Sequence, residues 1–190
     1  MSWNGYETDV LLRNDGNDGD GIPTFTDVAM ALGADNDRDG RGIGIADFDH
    51  DGDPDLVINN GQGDSGKVAR TRARLYRNDV GDRRSWLQID LVGTASNRDG
   101  IGTLVELEAG GTTQIRHAHA GSAYASQHSK RLHFGLGSHT AVDRITVHWP
   151  SGMVDVHEDV AANQGIRLTE GGRLELQVLP PSSANLGGAT

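Results

Sequence analysis

Short runs in which apolar or β-branched residues alternate with polar ones recur along the chain, at 10–13, 24–28, 42–48, 55–59, 73–77, 86–92, 102–108, 112–119, 131–135, 142–149, 153–157 and 174–179. Glycine, asparagine and aspartate separate them. Strands at such spacing, split by turn residues, predict an all-β chain with almost no helix. The run from Val142 to Trp149, then Pro150-Ser-Gly152, then Met153 to His157 reads as a hairpin whose proline and glycine supply the turn dihedrals. The segment 179–190, rich in Pro, Ser and Gly, is expected to be disordered.

The pattern also repeats. Leu11-Leu-Arg-Asn-Asp15 returns as Leu75-Tyr-Arg-Asn-Asp79, 64 residues later, with about four predicted strands between the copies. That period suits a propeller blade, and a blade buries its faces against neighbours. Residues 1–80 therefore read as part of a longer propeller, with further blades expected as partners. Residues 85–178 read as a separate β-sandwich-like domain.

Length and composition narrow the class. A chain of 190 residues can bury a real core, and its apolar runs are too short to cross a bilayer as helices. The absence of cysteine excludes a disulfide framework and a thiolate zinc site. No secretory signal is visible in 1–7. Charge is unevenly placed: residues 1–60 carry thirteen Asp, one Glu and three Arg, a net of −11, whereas the rest holds 14 bases against 13 acids. So acidic a segment is a poor partner for nucleic acid.

The acidity concentrates in Asp47-Phe-Asp49-His-Asp51-Gly52-Asp53-Pro-Asp55. Aspartates occupy loop positions 1, 3, 5 and 9, the carbonyl of Asp53 is available at position 7, and glycine stands at position 6, where the chain must turn sharply. Hard Ca²⁺ takes six to eight oxygens, and alternate side chains of a curling loop converge on one point. Asp47, Asp49, Asp51, Asp53 and Asp55 are the predicted calcium ligands. The loop is not an EF-hand, because Ile58 replaces the bidentate Glu and the flanks read as strands. A solvated acidic turn is the competing reading, but five clustered carboxylates repel unless a cation neutralises them.

Other candidates are weaker. Asp35-Asn-Asp37-Arg-Asp39-Gly40 begins like a second loop but reaches Ile43 at its ninth position, and the run Asn14 to Gly21 has no consistent ligand spacing. Gly61-Gln-Gly-Asp-Ser-Gly-Lys-Val68 approaches the phosphate-cradling spelling, yet Val68 lacks the hydroxyl that would hold Mg²⁺, so an inter-blade loop is the better reading. His117 and His119 fall on one strand face, where His128 or His133 could approach across a hairpin to make a transition-metal or acid–base site; no carboxylate nearby in sequence orients them. The basic stretch Lys67, Arg70, Arg72, Arg74, Arg77, Arg83 and Arg84 reads as a solvated strand edge. Without a Gly-x-Ser-x-Gly elbow or another nucleophile motif, the sequence supports no enzyme.

The stretch Gly42 to Ile58 resembles an FG-GAP (VCBS-type) repeat of integrin-α-like propellers. Residues 86–169 resemble the ASPIC/UnbV domain, through Asn97-Arg-Asp-Gly-Ile-Gly102, Tyr124-Ala-Ser-Gln127, Leu132-His-Phe-Gly-Leu-Gly137 and Trp149-Pro-Ser-Gly152. In this order the two resemble the cartilage acidic protein family and its bacterial relatives. The resemblance implies a partial propeller with calcium in its loop followed by a sandwich-like domain. It also implies an extracellular, periplasmic or cell-surface location and a non-catalytic role in adhesion or recognition of a protein or carbohydrate, without membrane insertion. Some bacterial relatives are encoded with enediyne biosynthesis, so an accessory or catalytic role in secondary metabolism is the alternative.

Overall fold

The computed structural model describes residues 8–36, 40–60, 73–79 and 84–178. Among them the chain is nearly all β, with thirteen strands and one short helix. β1 (Leu12–Asn17) and β2 (Pro23–Asp27) form a hairpin, followed by the single turn α1 (Ala29–Leu32). β3 (Gly40–Ala46), β4 (Asp55–Asn60) and β5 (Arg74–Tyr76) make a three-stranded sheet in that order. The remaining strands are β6 (Ser85–Val92), β7 (Leu104–Ala109), β8 (Thr112–His117), β9 (Leu132–Gly137), β10 (Ala141–His148), β11 (Val154–Ala161), β12 (Gln164–Thr169) and β13 (Leu174–Gln177). They form two four-stranded sheets, ordered β11-β10-β7-β8 and β13-β12-β6-β9.

The chain divides into two compact units, Met1–Ile43 with Val57–Tyr76, and Gly44–Leu56 with Arg77–Thr190. The acidic loop thus groups with the C-terminal strands. In the first unit the buried apolar residues among those described are Ala29, Ala34 and Ile58, while Leu12, Phe25, Met30 and Leu32 stay exposed. A buried amide pair, Asn36 Nδ2 to Asn60 Oδ1 at 2.8 Å, supplies polar order there.

The second unit owns the core. Leu87, Ile89 and Leu91 of β6 meet Phe134 of β9, Ile166 and Leu168 of β12, and Val105, Leu107, Ile145 and Val147 of the other sheet. Alternation places these residues inward, because successive strand side chains point to opposite faces. β12 pairs with β6 in parallel, Ile166 opposite Ile89 and Leu168 opposite Leu91, and closes a long-range connection that short-range patterning does not announce. The predicted hairpin forms between β10 and β11, its turn closed by Gly152 N donating to Trp149 O at 2.9 Å with Gly152 at φ 92°.

A buried carboxylate ties the loops of this unit. Oε2 of Glu170 accepts from the backbone N–H groups of Thr94, Ala95 and Ser96 at 2.7, 2.8 and 2.7 Å. Its Oε1 accepts from Ser96 Oγ at 2.8 Å and from the hydroxyl of Ser151. Burial alone would raise the pKa, but these donors outweigh it and hold Glu170 down at about 2.

A folded-state pKa depressed from the ordinary 4.5 to about 2 contributes stability that is complete above the ordinary value and lost as pH falls through the folded one. Glu170→Gln should therefore lower stability at neutral pH, and its gap from the wild type should narrow in denaturant melts as pH falls below about 4.5. In the core, Ile166→Ala should cost about 2–5 kcal/mol, and Leu176→Ala, at an exposed position, less than about 0.5 kcal/mol in the same measurement.

Candidate metal centre

Between β3 and β4 the chain curls through two residues of positive φ, His50 at 60° and Gly52 at 102°. Glycine at position 52 is required by space as well as by φ, since a Cβ there would lie 1.9 Å from Nε1 of Trp86. The carboxylates pin the curl. Oδ2 of Asp47 accepts from Gly52 N at 3.1 Å, Oδ1 of Asp51 from Asp53 N at 3.1 Å, and Oδ2 of Asp55 from Phe48 N at 2.8 Å. The other oxygen of Asp55 accepts from Asn78 N at 2.8 Å, which fastens the segment after β5 to the loop.

This geometry brings together one oxygen each of Asp47, Asp49 and Asp55, all within 4.8 Å of one another. Asp49 and Asp51 form a second trio with Asp79 on the same criterion. Asp53 is buried and belongs to neither trio. Arg77 partly offsets the charge, its Nε 2.7 Å from Asp79 and 3.9 Å from Asp49. Burial, and then the neighbouring charges of Asp49, Asp47 and Asp55, push the Asp51 carboxyl above its ordinary pKa, although the Asp53 N–H opposes them. Neighbouring carboxylates raise one another in this way because each disfavours the charged form of the next.

Two oxygens remain over. Oδ1 of Asp47 and Oδ1 of Asp49 are buried with no hydrogen-bond partner among the described residues. A buried polar atom left unsatisfied costs about 1–3 kcal/mol, and more when charged, so such atoms are suited to meeting a cation. The donors are all oxygen, several are carboxylates, and they sit on a loop rather than a rigid cage. That set fits Ca²⁺ better than Mg²⁺, which demands near-ideal octahedral geometry, or softer metals, which prefer imidazole and thiolate.

The loop is supported by the outward face of β6, which carries Trp86, Gln88 and Asp90. Gln88, itself buried, donates from Nε2 to Oδ2 of Asp47 at 2.6 Å and accepts at Oε1 from Arg131 Nη1 at 3.2 Å. Arg131 grips both oxygens of Asp90 at 2.9 Å, and Gln177 Nε2 adds a bond of 2.6 Å to the same carboxylate. Burial opposes ionisation of Asp90, but the bonds from Arg131 and Gln177 prevail and hold its pKa below the usual range. Asp47 is thus oriented through a chain of fixed hydrogen bonds.

The other sequence candidates fare differently. The rings of His117 and His119 lie 5.7 Å apart, and neither joins a group of three close ligands among the described residues. His128 and His133 instead line a cleft with His50. Burial, first among the causes, lowers the His133 pKa and favours the neutral ring. Asp18 serves a turn, its Oδ1 accepting from Asp20 N and Ile22 N at 2.9 Å. Asp37, Asp39, the glycine-rich run 61–68, the cations Lys67, Arg70, Arg72 and Arg83, and the tail lie outside the described residues.

Sequence reasoning did not single out Asp79, Gln88 or Trp86. A signal for Asp79 was present in the repeat: Arg13 and Asp15 make the same ion pair, Nε to Oδ1 at 2.6 Å, that Arg77 and Asp79 make at 2.7 Å. The first copy is joined by the Thr26 hydroxyl, which donates to Asp15, and the second faces Asp49.

Replacing Asp49 and Asp51 together by alanine should abolish calcium binding in calorimetric titration. Because Trp86 lies against Gly52, calcium should also change tryptophan fluorescence, and Trp86→Phe should remove that change while leaving the calorimetric signal. An unaltered titration in the double variant would refute the assignment.

Two family models match parts of the chain. Residues 40–71, which include the acidic loop, match the FG-GAP repeat. Residues 93–175, which span most of the sandwich, match the family described as ASPIC and UnbV. No curated protein matches the chain. The domain composition is therefore an FG-GAP repeat followed by an ASPIC and UnbV domain, a combination that fits a recognition or adhesion module.

Proposed function

We propose that this chain is a calcium-binding, non-catalytic recognition module that works outside the cell or at its surface. The observation that carries the reading is the pair of buried, partnerless oxygens on Asp47 and Asp49, held side by side in an FG-GAP loop. Asp47, Asp49 and Asp55 would hold the ion, with Asp51 and Asp79 completing the acidic shell and Asp53 closing the turn. Calcium would neutralise the loop and fix its curl against Trp86 and Gln88.

The extracellular location in this reading rests on the affinity usual for calcium modules of exported proteins. Calcium modules of extracellular proteins bind at roughly 10⁻⁴–10⁻³ M, too weakly to fill in resting cytosol. The exposed apolar face of the first unit, with Leu12, Phe25, Met30 and Leu32, supports stacking against a further blade of the same repeat type, as does the duplicated Arg–Asp pair.

Thermal melts in calcium, magnesium and chelator test the proposal. At about twenty times the dissociation constant, binding adds about 1.8 kcal/mol to the state that binds. Calcium should raise the melting temperature and magnesium should do so poorly. Equal melting temperatures in all three would show that residues 47–55 form only a charged turn.

A further inference from the structure

We propose that Arg77 is a built-in cation that fills the outer part of the acidic cluster and so limits the loop to one calcium ion; the inference rests on the calcium reading above and names what sets its stoichiometry. Two trios of carboxylate oxygens share Asp49. Asp47, Asp49 and Asp55 form the inner one, and Asp49, Asp51 and Asp79 the outer one, each with its oxygens within 4.8 Å of one another. Paired divalent ions in proteins sit about 3.5–4 Å apart, a spacing that a shared carboxylate can bridge. Charge alone would permit such a pair. One calcium and Arg77 together leave three of the six charges of Asp47, Asp49, Asp51, Asp53, Asp55 and Asp79 unmet.

What stands in the way of a second ion is the guanidinium. Arg77 donates from Nη2 to Oδ2 of Asp79 at 3.2 Å, and its Nε lies 2.7 Å from Oδ1 of the same carboxylate, so the fork covers both oxygens. The same Nε lies 3.9 Å from Oδ2 of Asp49, the residue common to both trios. Both carboxylates that Arg77 meets therefore belong to the outer trio. Its place is fixed from the next residue, since Asn78 N donates to Oδ1 of Asp55 at 2.8 Å. A divalent ion entering the outer trio would have to take Asp79 from the fork and approach a tethered positive charge at close range. Arginine keeps that charge at every working pH. The inner trio has no such occupant: Oδ1 of Asp47 and Oδ1 of Asp49 have no hydrogen-bond partner among the described residues.

The first copy of the motif supplies a matched reference. Arg13 pairs with Asp15 in the same way, Nε to Oδ1 at 2.6 Å, but Asp15 takes a further donor from Thr26. Asp15 joins no group of three close ligands among the described residues. The same pair thus serves a turn in one copy and meets an acidic loop in the other.

The test is equilibrium dialysis of the full chain against calcium chloride in about 0.1 M salt, which screens general charge attraction, with free calcium raised to about 10 mM, above the weak end of extracellular calcium affinities. The wild type should bind one ion per chain and Arg77→Gln two. Arg77→Lys keeps the positive charge and should hold the count at one. Arg13→Gln makes the same change in net charge at the first copy of the motif and should also bind one. In the double variant Arg77→Gln with Asp79→Asn the outer trio loses a ligand, and the count should fall back to one. The Arg77 and Asp79 side chains are 55% and 62% exposed, so breaking their pair costs the fold little. Arg77→Met, which keeps an apolar stem, stands in should Arg77→Gln fail to fold.

A single ion in Arg77→Gln, or two in the wild type, in Arg77→Lys or in Arg13→Gln, would overturn the proposal and leave the calcium reading standing. Two ions in the double variant would overturn it as well, because the second would then lie outside the outer trio. No calcium in the wild type would overturn the calcium reading and this inference with it.

Discussion

Mutual repulsion among the five carboxylates of residues 47–55 is the constraint to which the surrounding structure answers. Two unit charges about 4 Å apart repel by about 4 kcal/mol at an effective dielectric near 20, and several such pairs would unmake an unsupported loop. The answers are specific. Backbone N–H groups of Phe48, Gly52, Asp53 and Asn78 each donate to a carboxylate, Gln88 donates to Asp47, and Arg77 stands near Asp49. They still leave Oδ1 of Asp47 and Oδ1 of Asp49 without a partner, and that residue of unmet charge is what a divalent cation would take up.

Support of this kind needs a rigid base, and the sandwich provides it. The inward side chains of β6 sit in the fully buried core, so its outward residues Trp86, Gln88 and Asp90 are held in register. Parallel pairing with β12 on one side and antiparallel pairing with β9 on the other leave β6 little freedom to shift. Such placement on a strand gives a site more precision than a free loop could. It also explains why the acidic loop belongs to the same compact unit as the sandwich, although its sequence matches the FG-GAP repeat.

Much of this was legible in the sequence. Alternation marked nearly every strand of the sandwich, and position arithmetic marked the loop, because both signals are local. β12 was not anticipated: Gln164 to Thr169 is short, contains a glycine, and earns its place only by pairing with β6 across a long stretch of chain. Gln88 was equally hidden. A polar residue between Leu87 and Ile89 looks like an ordinary outward strand position, and only the loop folded over it buries it and gives it Asp47 as a partner. The histidines were noticed but grouped by strand face, which favoured His117 and His119; the cleft instead gathers His50 from the loop with His128 and His133, a combination no spacing rule encodes.

Glu170 shows by contrast why the loop carboxylates read as a binding site rather than as structure. Both kinds of group are acidic and withdrawn from solvent, yet Glu170 has three backbone N–H groups and two hydroxyls directed at its two oxygens. Nothing is left for it to bind, and its depressed pKa records how fully its charge is met. Asp51 shifts in the opposite direction, with burial and neighbouring carboxylates as the principal causes, because the loop concentrates charge faster than its own donors can satisfy it. A carboxylate that serves the fold is saturated by the fold. Those of residues 47–55 are arranged around a shortfall, held in place by Gln88, Arg131 and the outward face of β6, that a cation would fill.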